Sequence, residues 1–191
     1  IVYGEGIAVL AGDALLTLAF ELANQAKPTK RYKQSDYVAE LAKTTGHAQL
    51  IAGQVGDLEG EGKSVSRAQL RYIHERKTSA LLTCSVKLGG MSANCSSRQL
   101  EALGDFGYQV GLAFQVIDDI LDVTQSSEQL GKTAGKDAAV QKATYPAIVG
   151  LEKSRKIAAE LTAKAYQALK PFRGKAIALE ALADYLLKRD H

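Results

Sequence analysis

The stretch that decides the fold is Ser97–Thr124, SRQLEALGDFGYQVGLAFQVIDDILDVT. Placed at 3.6 residues per turn, Leu100, Leu103, Val110, Phe114, Ile117 and Leu121 fall on one apolar stripe. The periodicity predicts one long helix over residues 97–124. Its start is marked by Ser96 with Gln99 three residues on. That pair fits a capping box, in which the Ser hydroxyl accepts from a first-turn N–H and the Gln reaches back. A second stripe runs Gly111, Gln115, Asp118, Asp122, so Gln115 and two carboxylates share a face. Asp119 is offset by about 100°. Three carboxylates in two turns near a helix C-terminus repel one another and the helix dipole. Burial raises that cost unless cations compensate.

Working outward, helical periodicity covers the rest of the chain. Segments at 5–25, 36–57, 66–90, 141–170 and 174–189 read as helices, with Gly and Ser turns between them and no strand alternation. Ser66 with Gln69 repeats the capping-box signature, and Pro146 suits the first turn of the fifth helix. The fold class is all-α, one domain spanning 1–191, with helices long enough for a bundle around a central cavity or core.

Composition narrows the function. Of 191 residues, 46% are hydrophobic and 24% charged, and the net charge is only +3. That balance suits a globular core and argues against a nucleic-acid partner. Cys84 and Cys95 lack CxxC spacing or a nearby His cluster, so they read as reduced thiols. No apolar run of about 18 residues is free of charge, so no membrane span is expected. No basic stretch followed by an apolar segment opens the chain, so no signal peptide is expected within it.

The aspartates carry the chemistry. A solvated acidic helix end is the plain alternative, but the motif interrupts an apolar stretch, Val110 to Val123. Oxygen ligands suit a hard divalent ion, and Mg²⁺ is usual where phosphates bind. Lys132, Lys136 and Lys142 follow, and ammonium groups suit those phosphates as point charges. Lys77 interrupts the stripe Leu70, Ile73, Leu81, Cys84. A lysine there either snorkels to the edge or points into a polar cavity. Gln54 and Asp57 share a helical face with His47, and Asp13 reads as a satisfied core or interface group.

The run GLAFQVIDDILDVTQSSEQLGKTAGKD resembles the second aspartate-rich motif of the trans-isoprenyl diphosphate synthases, most closely those of bacteria and plastids that make geranylgeranyl diphosphate. YGEGIAVLAGDALL, GQVGDLEGEG and YIHERKTSALL resemble successive blocks of that family in order. The resemblance implies an isoprenoid synthase bundle, a Mg²⁺ cofactor, and isopentenyl and allylic diphosphates as substrates. It assigns Lys77, Thr78, Phe114, Gln115, Lys132, Lys142 and Gln54 to substrate binding. It makes Asp118 a direct metal ligand and adds Asp122. Asp119 and Asp122 act through metal-bound water or indirect contacts, and Lys77 joins the three aspartates as catalytic. Asp137 reads as a lysine partner, and Lys188-Arg189 as a charged tail.

The resemblance also implies a homodimer, in the cytoplasm or, in a plant, the plastid stroma. The family's first aspartate-rich motif would lie upstream of Ile1. Residues 1–191 by themselves are therefore expected to lack elongation activity while retaining weak Mg²⁺-dependent diphosphate binding. A non-catalytic regulatory subunit is the alternative, and the intact second motif argues against it. A terpene cyclase of the same fold would carry a different signature after the helix.

Overall fold

The 97–124 helix forms as read and becomes the axis of the molecule. In the computed structural model, which describes residues 2–124 and 143–187, it spans Ser97–Thr124. The Ser96 box is present, with Gln99 N–H donating to Ser96 Oγ at 3.3 Å and Ser96 N–H to Gln99 Oε1 at 2.9 Å. We label this helix α6. Before it come α1 (Glu5–Gln25), α2 (Gln34–Thr45), α3 (Leu50–Gly60), α4 (Arg67–His74), a π-helical turn (Glu75–Ser79) and α5 (Ala80–Ser92). After it come α7 (Tyr145–Val149), α8 (Leu151–Ala168), a 3₁₀ turn (Lys170–Phe172) and α9 (Ile177–Leu187). No strand occurs among the described residues.

Helix α6 packs chiefly between α5 and α8. Its burial is broader than one stripe. Phe106, Leu112, Ala113, Val116 and Ile120 are buried beside Leu103, Val110 and Leu121, whereas Leu100, Phe114 and Ile117 are only half-buried. A helix apolar on most sides belongs in a core. A second cluster joins Ala23 of α1, Tyr37 and Leu41 of α2, and Cys84 and Met91 of α5. Both cysteines are buried free thiols.

Three expected helices are subdivided. The segment read as 36–57 breaks over Gly46–Gln49, so His47 sits in an exposed turn and shares no helical face with Gln54 and Asp57. Residues 66–90 start on the Ser66 box but pass through the π-turn. In 141–170, helix begins at Tyr145, capped by Thr144 Oγ1 with Pro146 in the first turn, and breaks at Gly150 (φ 83°). The last segment is Ile177–Leu187, and residues 188–189 lie outside the described ones.

The π-turn is held from two sides by glycines. A Cβ on Gly53 of α3 would sit 2.2 Å from the Lys77 backbone nitrogen, and one on Gly111 of α6 would sit 2.4 Å from Ser79 Cα. Only residues without a side chain admit backbones this close. The turn is also tethered to Tyr108 at both ends. The Tyr108 hydroxyl donates to the Glu75 carboxylate, and Ser79 Oγ donates to the Tyr108 carbonyl at 2.9 Å. Arg71 adds bonds to Glu75 (2.8 Å) and to the Tyr108 hydroxyl (3.0 Å). Burial alone would raise the Glu75 carboxyl pKa, but the Tyr108 and Arg71 bonds hold it below its ordinary value.

Helix α1 differs from the rest. Ile7, Leu10 and Leu15 are 57%, 62% and 67% exposed, and Asp13 is exposed too, which corrects its reading as a core group. The helix is long and apolar enough to cross a membrane by length and composition, at mean hydropathy 1.7. Its C-terminal half packs instead, through Ala19, Phe20 and Ala23, on α2 and α5.

Candidate functional site

Lys77 and Thr78 both lie on the π-turn, at one edge of a cavity of about 350 Å³. Leu81, Leu82 and Ser85 of α5, Phe114 of α6 and Leu186 of α9 complete its walls. One rim is therefore polar and the interior apolar. A π-turn inserts one extra residue into the helical register, and such turns recur at functional sites. Here it places the ammonium and hydroxyl side by side above the apolar walls. Lys77 is 25% exposed and ion-pairs with Asp57 of α3, so it points to a polar rim rather than to bulk solvent. Gln54, one turn earlier on α3, is exposed and makes no side-chain hydrogen bond among the described residues.

Asp118 lies four residues beyond Phe114, one turn up the same side of α6, and is half-buried, as is Gln115. Asp122, a further turn on, is 5% exposed, and its Oδ2 has no hydrogen-bond partner among the described residues. A buried carboxylate oxygen left unpaired is costly unless a cation completes it. Asp119 serves a different purpose. It is buried, and its Oδ2 accepts the Tyr145 N–H at 2.8 Å, with His74 Nε2 4.0 Å away. That contact pins the end of α6 to the start of α7.

Two oxygen-donor carboxylates one turn apart fit Mg²⁺, which commonly uses one or two carboxylates together with substrate phosphates. Among the described residues no group of three His, Cys, Asp or Glu side chains forms an all-protein cage. Lys132, Lys136, Asp137 and Lys142 lie outside the described residues. The structure thus brings Lys77, Thr78 and Phe114 together, with Asp118 above them, and sets Gln54 apart.

Comparison with known proteins decides the lineage. The polyprenyl synthetase family pattern matches residues 1–182. The chain belongs to that family. A relative, the chloroplastic geranylgeranyl pyrophosphate synthase of Capsicum annuum, is 50% identical over 193 aligned residues, covering 100% of this chain and 52% of the relative. This polyprenyl synthetase chain thus spans about half the length of the curated relatives it matches. Among solved structures, the polyprenyl synthase of Caulobacter crescentus, complexed with calcium and isoprenyl diphosphate, superposes with a TM-score of 0.86. It is 28% identical, over 100% of this chain and 68% of that one. The Helicobacter pylori geranyltransferase complexed with magnesium and isoprenyl diphosphate gives 0.79 at 33% identity, over 97% and 61%.

Sequence reasoning missed the supports of the site. Tyr108 and Tyr145 stand in no motif, and His74, Glu75 and Ser79 sit inside the block YIHERKTSALL with no role assigned to them by the sequence. Leu186 reaches the cavity from 72 residues beyond Phe114 along the chain, and no local pattern announces such a contact. The Asp119 contact predicts a stability effect. Asp119→Ala leaves a buried N–H without its acceptor and is expected to cost about 1–3 kcal/mol. Urea unfolding checks this, and Asp119→Asn, which keeps an acceptor oxygen, should cost less.

Proposed function

We propose that this chain supplies the second aspartate-rich half of a prenyltransferase. The enzyme condenses isopentenyl diphosphate with an allylic diphosphate into a longer all-trans prenyl diphosphate. The 50% identity to a plant geranylgeranyl pyrophosphate synthase favours geranylgeranyl diphosphate as product. The observation that carries the reading is a lysine and a threonine at the polar rim of an apolar cavity, with Asp118 a turn above Phe114.

Asp118, with Asp122 beside it, would hold Mg²⁺. Bound there, the metal supplies charge neutralisation for a diphosphate leaving group. The chain's own groups do the rest. Lys77 offers a fixed ammonium to the diphosphate, and Asp57 keeps that ammonium extended toward the rim. Thr78 and Gln115 offer neutral donors beside it. Leu81, Leu82 and Phe114 take the prenyl tail and keep water from the reacting carbon. The allylic C–O bond breaks with its electron pair leaving on diphosphate. The isopentenyl double bond attacks the resulting cation, and a proton is then lost, with the released diphosphate as acceptor. Lys132 and Lys142 would extend the diphosphate site.

A regulatory subunit would have no need of these carboxylates. We assign the exposed apolar face of α1 to a homodimer contact, and the working compartment to the cytoplasm or plastid stroma. Relatives named chloroplastic support the second. The test is incorporation of radiolabelled isopentenyl diphosphate into extractable product by the complete prenyltransferase that contains this chain, with an allylic primer. Label should enter a longer prenyl chain, stop on chelation with EDTA and resume with Mg²⁺. Unchanged incorporation in EDTA would refute the proposal. Lys77→Ala should lower kcat/KM for the allylic substrate about ten- to a hundredfold, the weight of one charged hydrogen bond. Steady-state kinetics at varied allylic diphosphate reads this.

A further inference from the structure

Three segments that hold no carboxylate meet at the end of the bundle opposite the aspartates. They are residues 26–33 (AKPTKRYK), 94–99 (NCSSRQ) and 169–176 (LKPFRGKA). Helix α6 separates the two ends. At 1.5 Å per residue its 28 residues span about 42 Å. The first segment alone carries four cations, all exposed, and Arg98, Lys170, Arg173 and Lys175 are exposed as well.

The segments are joined by specific contacts. Arg31 N–H donates to Asn94 Oδ1 at 3.1 Å, Arg31 Nη1 donates to the Asn94 carbonyl at 2.9 Å, and the Tyr32 hydroxyl donates to the Cys95 carbonyl at 2.9 Å. Immediately after Cys95, an open cleft of about 550 Å³ is lined by Ser96, Arg98, Gln99, Lys170, Pro171 and Arg173. Phe172 packs inward on the main core. Tyr32 and Phe172 thus pin the first and third loops, the bonds from Arg31 and Tyr32 hold the second, and the cations are displayed on a fixed base. Among the described residues, none of these cations ion-pairs with a carboxylate, whereas Arg71, Arg76, Lys77 and Lys87 all do.

We propose that this basic end docks the protein on an anionic phospholipid surface. The chemistry favours a bilayer over the other polyanions. Tyr32 and Phe172 face inward, so the end offers no stacking platform for nucleic-acid bases. The cations are spread over three loops with Ile177 standing 70% exposed beside them, an array that reads charge density and tolerates an apolar interface. The cavity points the same way. Its lining runs from Lys77 and Thr78 on the π-turn to Ser85 on α5, and α5 leads on to the Asn94 turn. On the proposed reading, a lengthening prenyl tail grows toward the docked end while the diphosphate site stays in water. Docking itself does not depend on that reading.

The test is co-sedimentation of the protein with phosphatidylcholine vesicles, with and without phosphatidylglycerol, in the absence of substrates. Partitioning should rise more than tenfold with phosphatidylglycerol and vanish near 1 M salt, where the Debye length is about 3 Å. The triple variant Arg98→Glu, Lys170→Glu, Arg173→Glu should lose that gain. Lys153→Glu with Lys156→Glu, on α8, should keep it. Circular dichroism confirms that both variants stay folded. Equal binding to neutral and anionic vesicles, or retention by the triple variant, overturns the proposal. So does capture by polyglutamate without vesicle binding, which would mark an acidic protein as the partner. Because no turnover is measured, failure here leaves the enzymatic reading standing.

Discussion

Asp118→Ala in the complete prenyltransferase is expected to lower kcat by roughly 10²–10³-fold, the weight of a contact made to charge that develops in the transition state. The carboxylate stands one turn beyond Phe114, which lines the cavity, on the same side of α6. Ionising an allylic diphosphate concentrates negative charge on the leaving group, so a lost cation ligand weighs more in the transition state than in the substrate. Asp119→Asn should fall within about tenfold of wild type, because Asp119 is spent on the Tyr145 N–H. The pair is informative through its contrast. The two residues are adjacent in sequence and carry the same side chain, so an effect of general negative charge would strike both alike. Steady-state kinetics at saturating isopentenyl diphosphate separates them, and equal, small losses would refute the assignment of Asp118.

Gly53→Ala is the second large effect, and it acts on the backbone. The added methyl would lie 2.2 Å from the Lys77 nitrogen and 2.7 Å from both the Arg76 carbonyl carbon and Lys77 Cα. None of these is the far end of a flexible side chain, so α3 or the π-turn must move. Overpacking of this kind costs about 1–3 kcal/mol or more, a large share of the ~5–15 kcal/mol that holds a domain folded. The displaced element carries Lys77, so the KM for the allylic substrate should rise with the loss of stability. Gly12→Ala on α1 is the control. A Cβ added there would meet nothing within 4 Å, and alanine is the better helix former. A wild-type urea midpoint for Gly53→Ala would contradict the close approach.

Much of the bundle could be read directly because its strongest elements obey local rules. The α6 helix follows its apolar period, and Ser66, Ser96 and Thr144 cap helices through side-chain oxygens that reach nearby N–H groups. The breaks escaped for physical reasons. Gly46 caps α2, but a lone glycine is tolerated inside a helical pattern, and His47, Ala48 and Gln49 include no proline, so the apolar period alone runs through the break. The π-turn is set by Gly53, Gly111 and Tyr108 from elsewhere in the fold, which a window of periodicity cannot sense. The same limit applies to the site. Asp118 and Lys77 announced themselves as charges on apolar helices. The helical offset already set Asp119 apart from Asp118, but its bond to the Tyr145 N–H depends on the packing of α7 and could not be read locally. Gln54 shared a face with Asp57 on paper, yet Asp57 alone meets Lys77.

The central claim is that Asp118 and Lys77 belong to one site that takes a diphosphate together with a divalent metal. Calorimetric titration of the protein with inorganic pyrophosphate tests it most directly, run with Mg²⁺ and again in EDTA. The account predicts saturable binding that requires Mg²⁺ in the wild type, is lost in Asp118→Ala, and is weakened in Lys77→Ala with the metal requirement retained. Binding of equal strength in EDTA, or undiminished binding in both variants, would contradict it.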